Sequence, residues 1–206
     1  MPSSTTDTII FDLGGVLIDW NPRYLYRKIF EEEEMEYFLT EICNPEWNEQ
    51  QDAGRLWKEA IALLVAQHPK YEEAIVAYYG RWREMVGGAV EGTVDILTGL
   101  YENKNYRLYA LTNWSAETWP IALELFPFLS YFEGILVSGQ EMMKKPDHRI
   151  YNLMLDRFNI DPTKAVFIDD VIKNVKGAEA VGLSAIHFQS PEQLSQNLKI
   201  IGVNQI

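Results

Sequence analysis

The stretch Thr8-Ile9-Ile10-Phe11-Asp12-Leu13-Gly14-Gly15-Val16 decides the fold. Its first half is a run of β-branched and aromatic side chains without polar alternation, the pattern of a strand covered on both faces. Its second half breaks into an aspartate and two glycines, so the strand runs out into a tight turn with a carboxylate at its carboxyl end. With Thr8–Leu13 as the first strand, four later runs repeat the pattern: Arg107–Thr112, Gly134–Ser138, Ala165–Asp169 and Ser184–Phe188. Between the last four lie Ser115–Phe126, Asp147–Asn159 and Ile172–Val181, each of crossover-helix length, the last stopped by Gly182. Strands and helices alternating in this way predict an α/β fold built on a doubly wound parallel sheet.

One connection is out of proportion. A whole strand–helix–strand unit needs only about 30 residues, yet the first two strands are separated by far more. Most of the excess has apolar residues at three- and four-residue spacing, which predicts helices at Arg23–Thr40, Gly54–Gln67 and Glu72–Met85. Gly87 and Gly88 read as a return hinge, and a helix Thr93–Glu102 leads back to the sheet. The expected organisation is an all-helical cap at 20–88 inserted into a Rossmann-like core made of 1–19 and 89–206. The acidic run Glu31–Glu34 fits a solvated helix face.

Bulk properties narrow the function. The 206 residues suffice for one α/β domain with an insert, and 47% hydrophobic residues are enough for a real core. A net charge of -12 argues against non-specific nucleic-acid binding and against docking on an anionic membrane. Cys43 is the single cysteine, so no intramolecular disulfide forms, and a reducing, cytoplasmic setting is expected. The N-terminal MPSSTTDTII lacks the features of a signal peptide, and apolar runs such as Ile61–Ala66 are far too short to span a membrane.

Ligands of open parallel sheets bind beyond the carboxyl ends of the strands. The polar residues there are Asp12 after the first strand, Thr112-Asn113 after the second and Asp169-Asp170 after the fourth, while Lys144-Lys145-Pro146 precedes the helix that follows the third. Each alone is ordinary: strand-end aspartates usually shape turns or cap helices, Thr112 and Asn113 suit a cap, and Lys145 suits a surface. Together, and in this order, they resemble the haloacid dehalogenase-like superfamily over nearly the whole chain. Asp12 stands where that family has its nucleophile. Thr112-Asn113 match the second motif, Lys145-Pro146 the third, and Asp169-Asp170 with Asn174 and Gly177-Ala178 the fourth. The helical insert matches the cap of the first subclass.

The resemblance implies a Mg²⁺-dependent phosphatase acting on a small phosphorylated metabolite through an aspartyl-phosphate on Asp12. It places Mg²⁺ among Asp12, the Gly14 carbonyl, Asp169 and Asp170, with Asn174 behind them. Lys145 would neutralise Asp12, and Thr112, Asn113 and Lys145 would hold the phosphoryl oxygens. The residue types agree with that chemistry. A carboxylate nucleophile splits a hard hydrolysis into two easier steps. Three clustered carboxylates repel one another unless a cation sits among them, and hard oxygen ligands suit Mg²⁺.

The chain departs from the family at Gly14, where the phosphatases usually carry a second aspartate that protonates the leaving group. General acid–base help is worth about 10²–10⁴-fold. The family's dehalogenases also lack that aspartate, which makes a 2-haloacid dehalogenase using Asp12 the first rival; a catalytically weak metabolite-binding protein is the second. The branch with Asp-x-Gly includes sugar-phosphate phosphatases, which favours a sugar phosphate. Asp19, at the mouth of the cap, is chemically suited to replace the acid, although it also fits as a plain turn residue. Substrate contacts are expected from Trp20 and Asn21, from Trp47, Asn48, Asp52 and Arg55, and from Trp114. Trp20 and Trp47 would stack on a sugar and Arg55 would pair with a second anionic group; taken singly, each also fits as cap packing or a solvated residue. His68, His148 and His187 have no partners at useful spacing and receive no role.

Overall fold

The computed structural model describes residues 6–203, so half of the N-terminal stretch considered above as a leader, residues 1–5, lies outside the described residues. Seven strands occur among them: β1 (Thr8–Phe11), β2 (Ile18–Trp20), β3 (Val86–Ala89), β4 (Arg107–Thr112), β5 (Gly134–Val137), β6 (Ala165–Asp169) and β7 (Ser184–His187). Five of them form a parallel sheet in the order β5-β4-β1-β6-β7. This is the expected α/β architecture, with helices on both faces. The chain leaves β1 toward β4 and β5 on one side and later fills β6 and β7 on the other, so β1 is the switch point where such sheets bind ligands. Register completes the placement: Phe11 pairs with Ala110 of β4 and with Ile168 of β6. The carboxyl ends of β1, β4 and β6 therefore finish side by side.

Strand β1 is buried along its whole length because both faces are covered. Ile9 and Phe11 enter the larger core, while Ile10 joins Tyr109, Leu111, Ile150, Tyr151, Met154 and Phe167 on the opposite face. The larger core does not stop at the sheet. It runs from Phe11 through Leu13, Val16 and Leu17 into the aromatic cluster of the inserted helices, with Tyr26, Phe38, Trp47, Trp57 and Tyr78. Tyr26 stacks among Phe30, Phe38 and Tyr78 and donates its hydroxyl to the Ala74 carbonyl at 2.9 Å. Aromatic pairs of this kind add about 0.5–1.5 kcal/mol each beyond the area they bury.

Several boundaries differ from those the sequence predicts. The expected glycine hinge is a strand: β3 pairs antiparallel with β2, Gly88 opposite Asp19. Gly87 is needed there because a Cβ would lie 2.2 Å from Asp19 Oδ2 and 2.8 Å from the Tyr24 ring. The expected helix Arg23–Thr40 is broken into Arg23–Tyr26, Glu32–Tyr37 and a wide turn Phe38–Ile42. The break follows from Glu32, Glu33 and Glu34, which favour the first turn of a new helix, at its positive dipole end. An unexpected helix, Pro45–Asp52, is started by Asn44, whose side chain accepts the Trp47 N–H, and by Pro45 in the first turn. The next helix begins at Trp57 rather than Gly54, with the Trp57 N–H donated to Glu117. The helix expected to reach Met85 ends at Gly80 and gives way to a 3₁₀ turn, Trp82–Met85. At the C-terminal side, a helix Pro191–Ile200 buries Leu194 and Leu198. Among the described residues no helix is long and apolar enough to cross a membrane.

Candidate active site

Lys145 is the centre of the site. It is fully buried, and its ammonium meets three acceptors: Asp169 Oδ2 at 2.7 Å, Asp12 Oδ2 at 2.9 Å and the Leu111 carbonyl at 2.9 Å. Three N–H donors for three acceptors leave the ammonium satisfied. Burial works against its charge, but Asp12 and Asp169 outweigh that and raise its pKa. The loop that brings Lys145 in from beyond β5 is clamped by Asn113. The Asn113 Oδ1 accepts the Lys145 N–H at 2.8 Å, and its Nδ2 donates to the Lys145 carbonyl at 3.1 Å. The Asn113 side chain therefore positions Lys145 through its backbone, with one of its two Nδ2 hydrogens spent there.

Around that lysine stand Asp12, Asp169 and Asp170, each offering an oxygen within 4.8 Å of the others. Asp169 is fully buried and fixed; its Oδ1 accepts the Val171 N–H at 2.8 Å and the Asn174 Nδ2 at 3.0 Å. Asp12 is held by the Leu13 N–H at 2.7 Å. Burial pushes the Asp12 carboxyl well up; Lys145 opposes the rise, and Asp169 adds to it. Asp170 is likewise raised, by burial and then by Asp169. Three carboxylates against one ammonium are under-neutralised, which is the donor chemistry of a hard divalent cation. Two further features fit a polar occupant: Thr112 Oγ1 and Asn174 Oδ1 are buried without hydrogen-bond partners. Gly15, at φ +74°, passes so close that a Cβ would lie 2.3 Å from Asp170 Oδ2.

Two chambers open above the carboxylates. The first, of about 310 Å³, is lined by Asp12, Gly14, Glu49, Asp170, Lys173 and Asn174 among others. The second, of about 90 Å³, is walled by Trp20, Trp57, Trp82 and Trp114 with Asn48, Ser115 and Thr118. Trp20 and Trp114 each keep a buried indole N–H without a partner. Gly14, Trp20, Asp52 and Asn113 line both chambers. At the rim, Glu49 of the inserted helix binds Lys144 at 2.7 Å and Lys173 at 2.8 Å.

The family model for haloacid dehalogenase-like hydrolases matches residues 9–188. The chain belongs to that family. Among its relatives, a sesquiterpene phosphatase of Aspergillus oryzae is 26% identical over 186 residues, covering 90% of this chain and 91% of the relative. A phosphorylated carbohydrates phosphatase of Thermotoga maritima is 24% identical over 189 residues, covering 88% and 84%. Among solved structures, a haloacid dehalogenase family enzyme of Bacteroides thetaiotaomicron matches with TM-score 0.69 at 25% identity, covering 94% of this chain and 98% of that one. The same wild-type enzyme in complex with magnesium and inorganic phosphate gives TM-score 0.67 at 24% identity, covering 90% of this chain and 95% of that one.

In this hydrolase, then, Asp12, Thr112, Asn113, Lys145, Asp169, Asp170 and Asn174 come together at the strand ends, and Trp20 and Trp114 face the cleft above them. Four other expected residues do not. Asn21 lines neither chamber, and its Oδ1 accepts the Arg23 N–H at 3.0 Å. Asp19 turns into the β2–β3 ladder, where its Oδ2 accepts the Tyr24 hydroxyl at 2.6 Å. Trp47 is packed inside the inserted helices against Trp57 and Tyr78. Arg55 lies over the Trp47 ring and donates to Gln51 Oε1 at 2.7 Å and to the Trp47 carbonyl at 3.2 Å, so it closes the end of a helix rather than meeting an anion. Trp57 and Trp82 take the wall position instead; their three- and four-residue spacing marked them only as helix packing. His187, given no role, places its Nε2 2.9 Å from the Asp170 carbonyl.

Proposed function

We propose that this hydrolase removes phosphate from a small phosphorylated metabolite, with Mg²⁺ and with Asp12 as nucleophile. The observation that carries the reading is Lys145, fully buried yet able to neutralise only part of the Asp12, Asp169 and Asp170 cluster beside it. Asp12, Asp169, Asp170 and the Gly14 carbonyl would hold the ion. Bound there, Mg²⁺ supplies the positive charge that lets an anionic phosphate approach a carboxylate nucleophile. Asp12 attacks phosphorus, Lys145 keeps that carboxylate aimed and balanced, and the unpartnered Thr112 hydroxyl donates to a phosphoryl oxygen. Asn113 positions Lys145 through its backbone, and Asn174 positions Asp169. The inserted residues 20–88 act as a cap that excludes water and presents the tryptophan chamber to the leaving group.

Support comes also from the phosphatases among the relatives, including one for phosphorylated carbohydrates. A sugar phosphate is the favoured substrate, since indole faces suit the apolar face of a sugar ring. A dehalogenase using Asp12 on carbon would leave Asp170 crowding the nucleophile with no cation to balance it, and a mere binding protein would not need Asp12. The test is thermal melting with beryllium fluoride and Mg²⁺, which together mimic an aspartyl-phosphate. A ligand at a hundredfold excess over Kd stabilises by about 2.7 kcal/mol. For a chain of this size that is a rise of roughly 5–10 °C, at about 2–4 °C per kcal/mol. The rise is expected in wild type, and not with EDTA or in Asp12→Asn. An equal rise in Asp12→Asn would remove Asp12 from the reaction.

A further inference from the structure

The turn after β1 carries no proton donor, since Gly14 has no side chain. A phosphate ester of an alcohol nonetheless needs one, because an alkoxide is a poor leaving group. The donor must stand where the ester oxygen sits, between the phosphoryl end of the cleft and the chamber that takes the rest of the substrate. Four residues line both spaces: Gly14, Trp20, Asp52 and Asn113. Of these only Asp52 has an ionisable side chain. The Asn113 amide is engaged with Lys145, and an indole is no acid at neutral pH.

We infer that Asp52, from the inserted helix Pro45–Asp52, is the general acid and base of this hydrolase. The inference rests on the phosphatase reading of the same site. In the first step an Asp12 oxygen bonds to phosphorus, the bond from phosphorus to the ester oxygen breaks, and the departing oxygen takes the Asp52 proton. In the second, the Asp52 carboxylate takes a proton from water as that oxygen bonds to phosphorus. The bond from phosphorus to Asp12 then breaks, releasing phosphate and restoring both carboxyl groups.

The local structure holds Asp52 for this work. Its backbone carbonyl accepts the Ser138 hydroxyl at 2.5 Å, which ties the end of the helix to the sheet side of the cleft. The neighbouring Asn48 Nδ2 lies 3.4 Å from Asp52 Oδ2. Being the last residue of its helix, Asp52 sits at the negative dipole end, where a carboxylate is disfavoured. Burial pushes its carboxyl up to about 7 and Glu49 adds to the rise, while Lys144, Lys145 and the Ser115 amide oppose it. Glu49 is itself paired with Lys144 and Lys173, and Tyr78 also faces Asp52. A group that is half protonated near neutral pH serves both steps.

The experiment compares kcat/KM for benzyl phosphate and p-nitrophenyl phosphate with Mg²⁺, in wild type and Asp52→Asn. The nitrophenolate leaves with little protonation, whereas the benzyl alkoxide does not. The loss in Asp52→Asn should be at least tenfold greater on benzyl phosphate, within the 10²–10⁴-fold range of acid–base catalysis. Wild type alone supplies a second measure that does not depend on the variant folding. Its kcat/KM on benzyl phosphate should fall above a pKa near 7, and that limb should be absent on p-nitrophenyl phosphate. Adding Gly14→Asp to Asp52→Asn should return part of the benzyl activity, because a Cβ at Gly14 meets no atom within 4 Å. Equal losses on the two esters, or matching alkaline limbs in wild type, overturn Asp52 as the acid while leaving the phosphatase reading standing. Wild type that releases phosphate from neither ester overturns both.

Discussion

A carboxyl held near 7 inside a folded protein makes folding less favourable as it ionises, and that penalty is measurable apart from any turnover. The unfolded chain ionises Asp52 at about 3.8 and the folded chain at about 7. Between those values the folded state binds the extra proton, so stability is greatest below about 3.8, falls as pH rises, and levels off above about 7. The full difference corresponds to about 4 kcal/mol, at 1.36 kcal/mol per pKa unit. Asp52→Asn keeps the shape and removes the titration. The variant should therefore gain on wild type as pH rises, by about 2–3 kcal/mol between pH 5 and 8. That is roughly 5–10 °C of melting temperature for a chain of this size. Melting both proteins in EDTA across that range isolates the effect, since Asp12, Asp169 and Asp170 are common to both and their titration cancels in the difference. A difference that stays flat with pH would refute the claim that half-buried Asp52 carries a proton near neutral pH.

Two further predictions concern the carboxylate cluster. Lys145→Met keeps the length of the side chain but strands buried Asp12 and Asp169, which should cost about 3–5 kcal/mol and lower the melting temperature in EDTA by about 6–20 °C. Mg²⁺ should recover part of that, and an unchanged melting temperature in EDTA would show that the lysine does not neutralise the pair. Gly15→Ala brings a methyl to 2.3 Å from Asp170 Oδ2 at a backbone angle that disfavours side chains. It should displace Asp170 and weaken Mg²⁺ binding at least tenfold by calorimetric titration; an unchanged affinity would take Asp170 out of the metal site.

The sheet was legible because its strands are near-continuous apolar runs ending in polar residues, a pattern that few other structures produce. The strand-end residues were legible for a related reason: once the strands are parallel, Asp12, Thr112 and Asp169 have nowhere to go but one edge. The cap was harder because helix periodicity marks packing without marking what is packed. Trp47 and Trp57 carry the same signal, yet Trp47 is sealed among Trp57 and Tyr78 while Trp57 also reaches the cleft. Glu31–Glu34 read as a solvated face, which is how Glu31, Glu32 and Glu33 stand, but their charge also begins a new helix there. The helix that carries Asp52 is only eight residues long and starts on the local Asn44-Pro45 cap, a signal that a search for helical periodicity does not read. Asp19 stands at the mouth of the cap in the sequence, but a two-stranded ladder invisible to periodicity turns it toward Tyr24.

The location of Asp52 gives the departure at Gly14 a structural meaning. An acid on the turn after β1 would belong to the same rigid edge as the nucleophile and would stand ready whatever the inserted helices did. Asp52 belongs to the insert, and the contacts that seat it are contacts between insert and core: Ser138 to its backbone, and Glu49 one turn earlier to Lys144 and Lys173. Lys144 precedes Lys145 in the chain, so the segment that delivers the neutralising lysine to Asp12 also binds the helix that delivers the acid. With Asp12 as the proposed nucleophile and Asp52 as the proposed acid, the two are positioned from opposite sides of the cleft through one shared segment. Proton donation in this arrangement requires the insert to lie on the core, and the same packing closes the tryptophan chamber around the leaving group.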